Sequence, residues 1–241
     1  MSRKDSIMKS IITKVSLVAV AVFGIAANSS AQVTTRTVST NFSVNLAIPD
    51  NDFSGIASTK AFGGLTLPFE TNVFDLNVTL NISGDYNGDL YAYITHNSGF
   101  SVLLNRVGKT TANPLGYSDD GINIKLDDQA TGRDVHNYRV TLSGNQTTPL
   151  PAGLTGTWLP DGRNVNPDTV LDTSARTALL SSFMGLNPSG SWTLFIADLS
   201  AGGTSTLVSW GLEVTVPEPG TVALLALGGI GLFCAARRKK S

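Results

Sequence analysis

From Phe74 to Ser83 apolar and polar residues alternate without a slip. Phe74, Leu76, Val78, Leu80 and Ile82 fall on one side, and Asp75, Asn77, Thr79, Asn81 and Ser83 on the other. Successive side chains of a strand point to opposite faces, so this period of two describes a strand with one buried face. Such a strand must be paired and covered, which commits the surrounding chain to a sheet packed on another layer. The neighbouring segments agree. Ser83–Asp89 carries turn chemistry around Asn87-Gly88, and Leu90–Thr95 and Ser101–Leu104 read as strands joined by His96-Asn97-Ser98-Gly99. Trp192–Ala197 is a further strand, followed by a Gly-rich loop over 198–204. In a last strand Trp210, Leu212, Val214 and Val216 alternate with Gly211, Glu213 and Thr215. Ser174–Met184 is the only stretch suited to a short helix. Asn145–Pro167, rich in Pro and Gly, reads as a long surface excursion, and the pattern assigns no strands between 131 and 175. Many short strands and 24 glycines predict an all-β fold, a jelly-roll-like antiparallel β-sandwich.

Both ends of the chain depart from this pattern. Arg3, Lys4, Lys9 and Lys14 precede an apolar segment, Val15–Ala27, and Ser29-Ser30-Ala31 places small residues where a signal peptidase cuts. Residues 1–31 are expected to be a secretory signal peptide, cleaved after Ala31. At the other end Pro217-Glu218-Pro219 breaks the chain, residues 221–236 carry no charge, and Arg237-Arg238-Lys239-Lys240 close it. As a helix, 221–236 spans about 24 Å, a little short of the roughly 30 Å hydrocarbon core, and snorkelling Arg and Lys make up the difference. Cations at one end only leave the C-terminus in the cytoplasm and the body outside.

These two ends distort the net charge. The whole chain is −1, but eight of its 17 Lys and Arg and only two of its 18 Asp and Glu lie in residues 1–31 and 217–241. The body, 32–216, therefore carries 9 cations against 16 anions, a net −7. Nucleic-acid binding needs a basic face, which this body lacks. The one cysteine, Cys234, lies in the tail, so no disulfide holds the exported body.

The tail resembles the PEP-CTERM sorting signal of Gram-negative bacteria, in its Pro217-Glu218-Pro219 motif, its Gly-containing membrane stretch and its Arg237–Lys240 end. The resemblance implies an exosortase, a membrane-embedded cysteine protease that cuts near the motif, in bacteria that make exopolysaccharide and biofilm matrix. The protein is then exported through the inner membrane, held there transiently, and delivered to the cell surface or beyond.

The body has a resemblance of its own. Ile48-Pro49-Asp50-Asn51-Asp52-Phe53-Ser54-Gly55-Ile56, Val78–Ile82 with Gly88-Asp89-Leu90, Leu126–Ala130, Phe183–Leu194 and Ser209–Leu212 resemble, in order over 42–214, the P domain (P/Homo B) of subtilisin-like proprotein convertases. The resemblance implies a jelly roll of about eight strands that in convertases follows and stabilises a catalytic domain. Here about 10 residues separate the expected cut from the first matched strand, so no catalytic domain is expected before it.

Reactive machinery is sparse. Only His96 and His136 could serve a Ser-His-Asp triad; both read as solvated loop residues, and no Gly-x-Ser-x-Gly elbow surrounds any serine. Adjacent carboxylates such as Asp119-Asp120 and Asp127-Asp128 point to opposite faces of a strand and make no acid–base couple. Calcium suits the acids better, since it takes oxygen ligands from irregular loops. Asp50 and Asp52 imitate the first half of an EF-hand loop, with Ala61 where its bidentate Glu belongs, and Asp119, Asp120, Asp127 and Asp128 form a second cluster. The acids read first as solvated, turn-capping carboxylates, with a structural Ca²⁺ at one cluster as the alternative and the one candidate cofactor. Trp192 and Trp210 read as core, and Trp158 as the loop aromatic best placed to touch a ligand.

The sequence thus predicts an exported, non-catalytic β-sandwich. Its processing partners are signal peptidase and an exosortase, and its working partners exopolysaccharide or matrix proteins. The alternatives are an accessory P domain acting with a separate subtilisin-like protease, and a polysaccharide-acting enzyme with unrecognised acids.

Overall fold

Nine strands divide between two layers in a computed structural model that describes residues 34–63 and 72–218. The expected signal peptide, its cut after Ala31, the membrane stretch 221–236, Pro219 and Arg237–Lys240 lie outside those residues. The first layer holds β1 (Thr35–Ile48), β9 (Ser205–Pro217), β3 (Asp75–Gly84), β6 (Ile122–Leu126) and β7 (Leu154–Trp158), in that order. The second holds β2 (Asp52–Phe62), β8 (Gly190–Asp198), β4 (Leu90–His96) and β5 (Gly99–Asn105). The ribbon β1–β2 lies alongside the ribbon β8–β9, one strand of each ribbon in each sheet, which is jelly-roll winding. One departure from the antiparallel expectation is β7, which pairs parallel to β6.

The alternation seen in the sequence is the burial pattern. Leu76, Val78, Leu80 and Ile82 of β3 are buried while Asp75, Asn77, Thr79 and Asn81 face outward. Trp192 and Trp210 are in the core, as expected. The Trp210 indole N–H donates to Ser58 Oγ at 3.0 Å, which joins β9 to β2 across the layers. Trp158 is a correction: it closes β7 fully buried and donates to the Thr155 carbonyl at 2.8 Å, so it touches no ligand. The segment 145–167 is likewise no simple surface excursion, because it supplies β7 and the buried run Pro160–Arg163. Leu180–Phe183, within the stretch expected to be helical, is a 3₁₀ turn, and a short helix missed from sequence, α1 (Tyr138–Ser143), lies before β7.

Register fixes where the ends fall. Thr35, at the start of β1, pairs with Pro217, at the end of β9. Gly84, at the end of β3, pairs with Ser205, at the start of β9. The chain therefore enters and leaves the sandwich at one end, and the loops after β3 and before β9 gather at the other. The 13 residues of β9 separate the two ends by about 40 Å.

Candidate binding cleft

Five loops and α1 meet at the end away from Pro217 and enclose a cleft of about 990 Å³, the loop at Asp172 among them. Its floor is backbone against backbone. The Gly88 N–H donates to the Tyr117 carbonyl at 2.8 Å, and a Cβ on Gly88 would stand 2.5 Å from Tyr117 N, so only glycine permits this approach. The loop after β5 is locked by Asn113, whose amide donates to the Gly108 and Gly116 carbonyls at 3.1 and 2.7 Å. It leaves Thr110, Thr111 and Leu115 along the cleft, with Leu115 68% exposed.

One wall is charged but internally neutral. Arg139 of α1 holds both oxygens of Asp119, at 2.7 and 2.8 Å, and lies 4.6 Å over the Tyr117 ring. Burial alone would raise the Asp119 carboxyl, but the hydrogen bonds from Arg139, Tyr138 and the Leu150 N–H bring it below its usual value. Burial pushes the Tyr117 hydroxyl up to about 12. Hydroxyls and amides of Ser118, Gln146 and Thr147 complete that wall.

The opposite wall comes from the loops after β3 and β8. Tyr86 adopts φ 56, a left-handed conformation that costs a non-glycine residue about 1–2 kcal/mol, and the residue is 44% exposed at the rim. Below it Asp89 and Asp198 meet at the start of β4 and the end of β8, where Leu90 pairs with Asp198 and the Leu199 N–H donates to the Asp89 carbonyl at 2.9 Å. Arg106 reaches Asp89 at 3.5 Å and Ser200 Oγ at 2.7 Å. Burial raises both carboxyls. Asp198, further crowded by Asp89 and Asp50, reaches about 6 despite the Ser200 N–H and Arg106.

The six carboxylates singled out from sequence do not converge. Asp50 accepts from the Gly202 N–H at 3.0 Å, and Asp52 caps its own turn through Ser54. Asp119 is held by Arg139, and Asp120 is exposed beside a shallower cleft. Asp127 accepts from the Gln129 N–H at 2.7 Å, while Asp128 caps the 3₁₀ turn through Leu180 and Ser181. Among the described residues no three His, Cys, Asp or Glu side chains are placed to hold a metal ion. The grouping Asp50–Asp89–Asp198 had no local sequence signal, since strand pairing alone creates it.

Both histidines are corrections. His96 ends β4 on its inward face, stacked on Trp192 at 4.1 Å, with its ring nitrogens against the Ser191 and Asn187 carbonyls. His136 is fully buried, its Nδ1 2.8 Å from Asp161 and its Nε2 3.0 Å from the Lys109 carbonyl. Neither histidine lines the cleft. Of the sorting residues, Pro217 closes β9 and Glu218 is exposed.

Residues 215–240 match the PEP-CTERM protein-sorting motif. The chain therefore carries a sorting signal of exported proteins that an exosortase recognises. No functionally curated protein matches it. Similar solved structures include a serine protease of Aeromonas sobria in complex with its chaperone, at 15% identity and TM-score 0.42 over 82% of this chain and 29% of that one. The same protease alone matches at 16% identity and TM-score 0.39, over 80% and 29%. The chain spans under a third of the length of these structures.

Proposed function

We propose that this protein is an exported, non-catalytic binding module whose cleft holds a segment of neutral polysaccharide at the cell envelope or in the matrix. The observation that carries this reading is the cleft itself. Its volume of about 990 Å³ is that of a ligand site, and its lining combines an exposed aromatic ring, Tyr86, with hydroxyls and amides. Sugars present the matching chemistry, apolar C–H faces edged by hydroxyls. The charges favour a neutral chain: Arg139 is taken by Asp119 and Arg106 lies against Asp89, while a body of net −7 repels polyanions. Asp119 is held by Arg139 and Asp89 lies against Arg106, which supports binding over catalysis.

The cleft also lies at the far end of β9 from the sorting motif. Affinity electrophoresis of the mature protein, recovered from the cells that export it, tests the reading. Gels containing a neutral polysaccharide are expected to retard the wild type and not Tyr86→Ala. Equal migration of the two in every polysaccharide tried, or selective capture of a subtilisin-like protease instead, overturns it.

A further inference from the structure

The sorting motif does not begin beyond the fold. Its match starts at Thr215, and β9 runs on to Pro217. Thr215 is paired on both sides, to Thr37 of β1 and Asp75 of β3. Its hydroxyl lies 2.8 Å from that of Thr37, and its carbonyl accepts from the Phe74 N–H at 2.8 Å. Val216 is fully buried and opposite Arg36, and Pro217 is opposite Thr35. Only Glu218, among the described residues of the motif, lies beyond the last pair.

A peptidase that reads a chain segment binds it extended, through the same backbone groups that a neighbouring strand uses. Residues 215–217 cannot pair with β1 and with such an enzyme at once. We propose that the start of β1, Thr35–Thr37, is a clasp on the sorting motif. The exosortase gains Val216 and Pro217 only when the terminal β1–β9 pairs open, while Thr215 stays paired to β3. Such opening is local unfolding at a strand end, where protection is lowest, and it leaves the rest of the sandwich intact. The rate of tail removal is then set by the fold of the body as well as by the motif.

The clasp also begins four residues after the expected signal-peptide cut. With the signal peptide cut after Ala31, residues 32–34 alone separate the new N-terminus from the clasp. A precursor that has not yet folded, or whose β1 is still held by its leader, presents the motif unclasped. A folded one presents it only by fraying.

This inference rests on exosortase handling of the motif, and the test separates the two. Thr37→Cys with Thr215→Cys, in a Cys234→Ser background of the full chain, places two thiols on an opposed pair that suits a disulfide. Precursor and mature protein are followed by pulse-chase in a host with its exosortase. The oxidised variant is expected to lose its tail at least tenfold more slowly than the same variant kept reduced. A six-residue Gly-Ser insert between Val216 and Pro217 is expected to restore the rate with the disulfide in place. Equal rates for the oxidised and reduced forms overturn the clasp, as does a block that the insert does not relieve. A wild-type precursor that is never cut overturns the sorting reading itself, and the clasp falls with it.

Discussion

His136 Nδ1 lies 2.8 Å from Asp161 Oδ2, and neither side chain has any exposure to solvent. Asp161 also receives Arg163 at 3.3 Å and the Asn105 N–H at 3.2 Å, and Arg163 continues to Asp134 at 2.7 Å. This network packs the chain after β7 against β5 and supports the loop that floors the cleft, since the Gly108 N–H donates to the His136 carbonyl at 2.7 Å. Replacing Asp161 by Asn leaves a buried imidazole and a buried guanidinium short of a partner. Removal of one member of a buried pair costs about 3–5 kcal/mol, so Asp161→Asn is expected to lower the urea midpoint sharply.

The same pair sets a pH dependence. Burial alone would lower the His136 pKa, but the Asp161 hydrogen bond and charge raise it above 6.5 overall. A raised folded value means that the folded state holds the proton more tightly than the unfolded one. The contribution is whole below pH 6.5 and is lost as pH rises through the folded value. Thermal melts are expected to show Tm falling above that point, and His136→Gln is expected to remove the slope.

Asp198 gives a second window. Its carboxyl, raised by burial and by Asp89 and Asp50, titrates near 6 in the fold against 3.8 unfolded. Between those values the folded state binds more protons, so its contribution is present below 3.8 and lost as pH rises to about 6. Denaturant midpoints of wild type against Asp198→Asn across pH 4–7 check this. The difference between them is expected to move with pH inside that window and to be constant above it.

Tyr86 separates stability from binding. Glycine adopts its φ of 56 without strain, so Tyr86→Gly is expected to unfold within about 1 kcal/mol of the wild type, or above it. Retardation by polysaccharide is expected to vanish in the same variant. A large loss of stability would show that the ring is structural.

Chelation tests the calcium expectation. Five of the six carboxylates are taken up by backbone N–H groups or Arg139, and Asp120 is exposed, so EDTA is expected to leave Tm unchanged at pH 7. A fall of several degrees would show that these loops close around an ion.

How far the sequence could be read depended on the range of the interactions. The strand at Phe74–Ser83 was legible because alternation is local, and it appears as β3, shifted to Asp75–Gly84, with Phe74 left 54% exposed instead of buried. The inward face of β4 was legible too, in Leu90, Ala92 and Ile94, and His96 continues it. The Asn97-Ser98-Gly99 turn signal drew His96 into a loop one residue early. His136 offered no such pattern, because its partner lies 25 residues away and irregular chain carries both. Trp158 hid behind Gly156, which interrupts the alternation of Leu154, and β7 finds its place only through parallel pairing with β6. The cleft is assembled from loops at 86–89, 110–118, 146–147, 172 and 200–202, so no single stretch announces it.

The central claim is that the cleft is where polysaccharide binds, and hydrogen–deuterium exchange of the mature protein measures this most directly. With a retarding neutral polysaccharide present, slowed exchange is expected at residues 85–89, 110–118, 146–147 and 199–203, with β1 and β2 unchanged. Protection confined to other surfaces, or none at saturating polysaccharide, would contradict it.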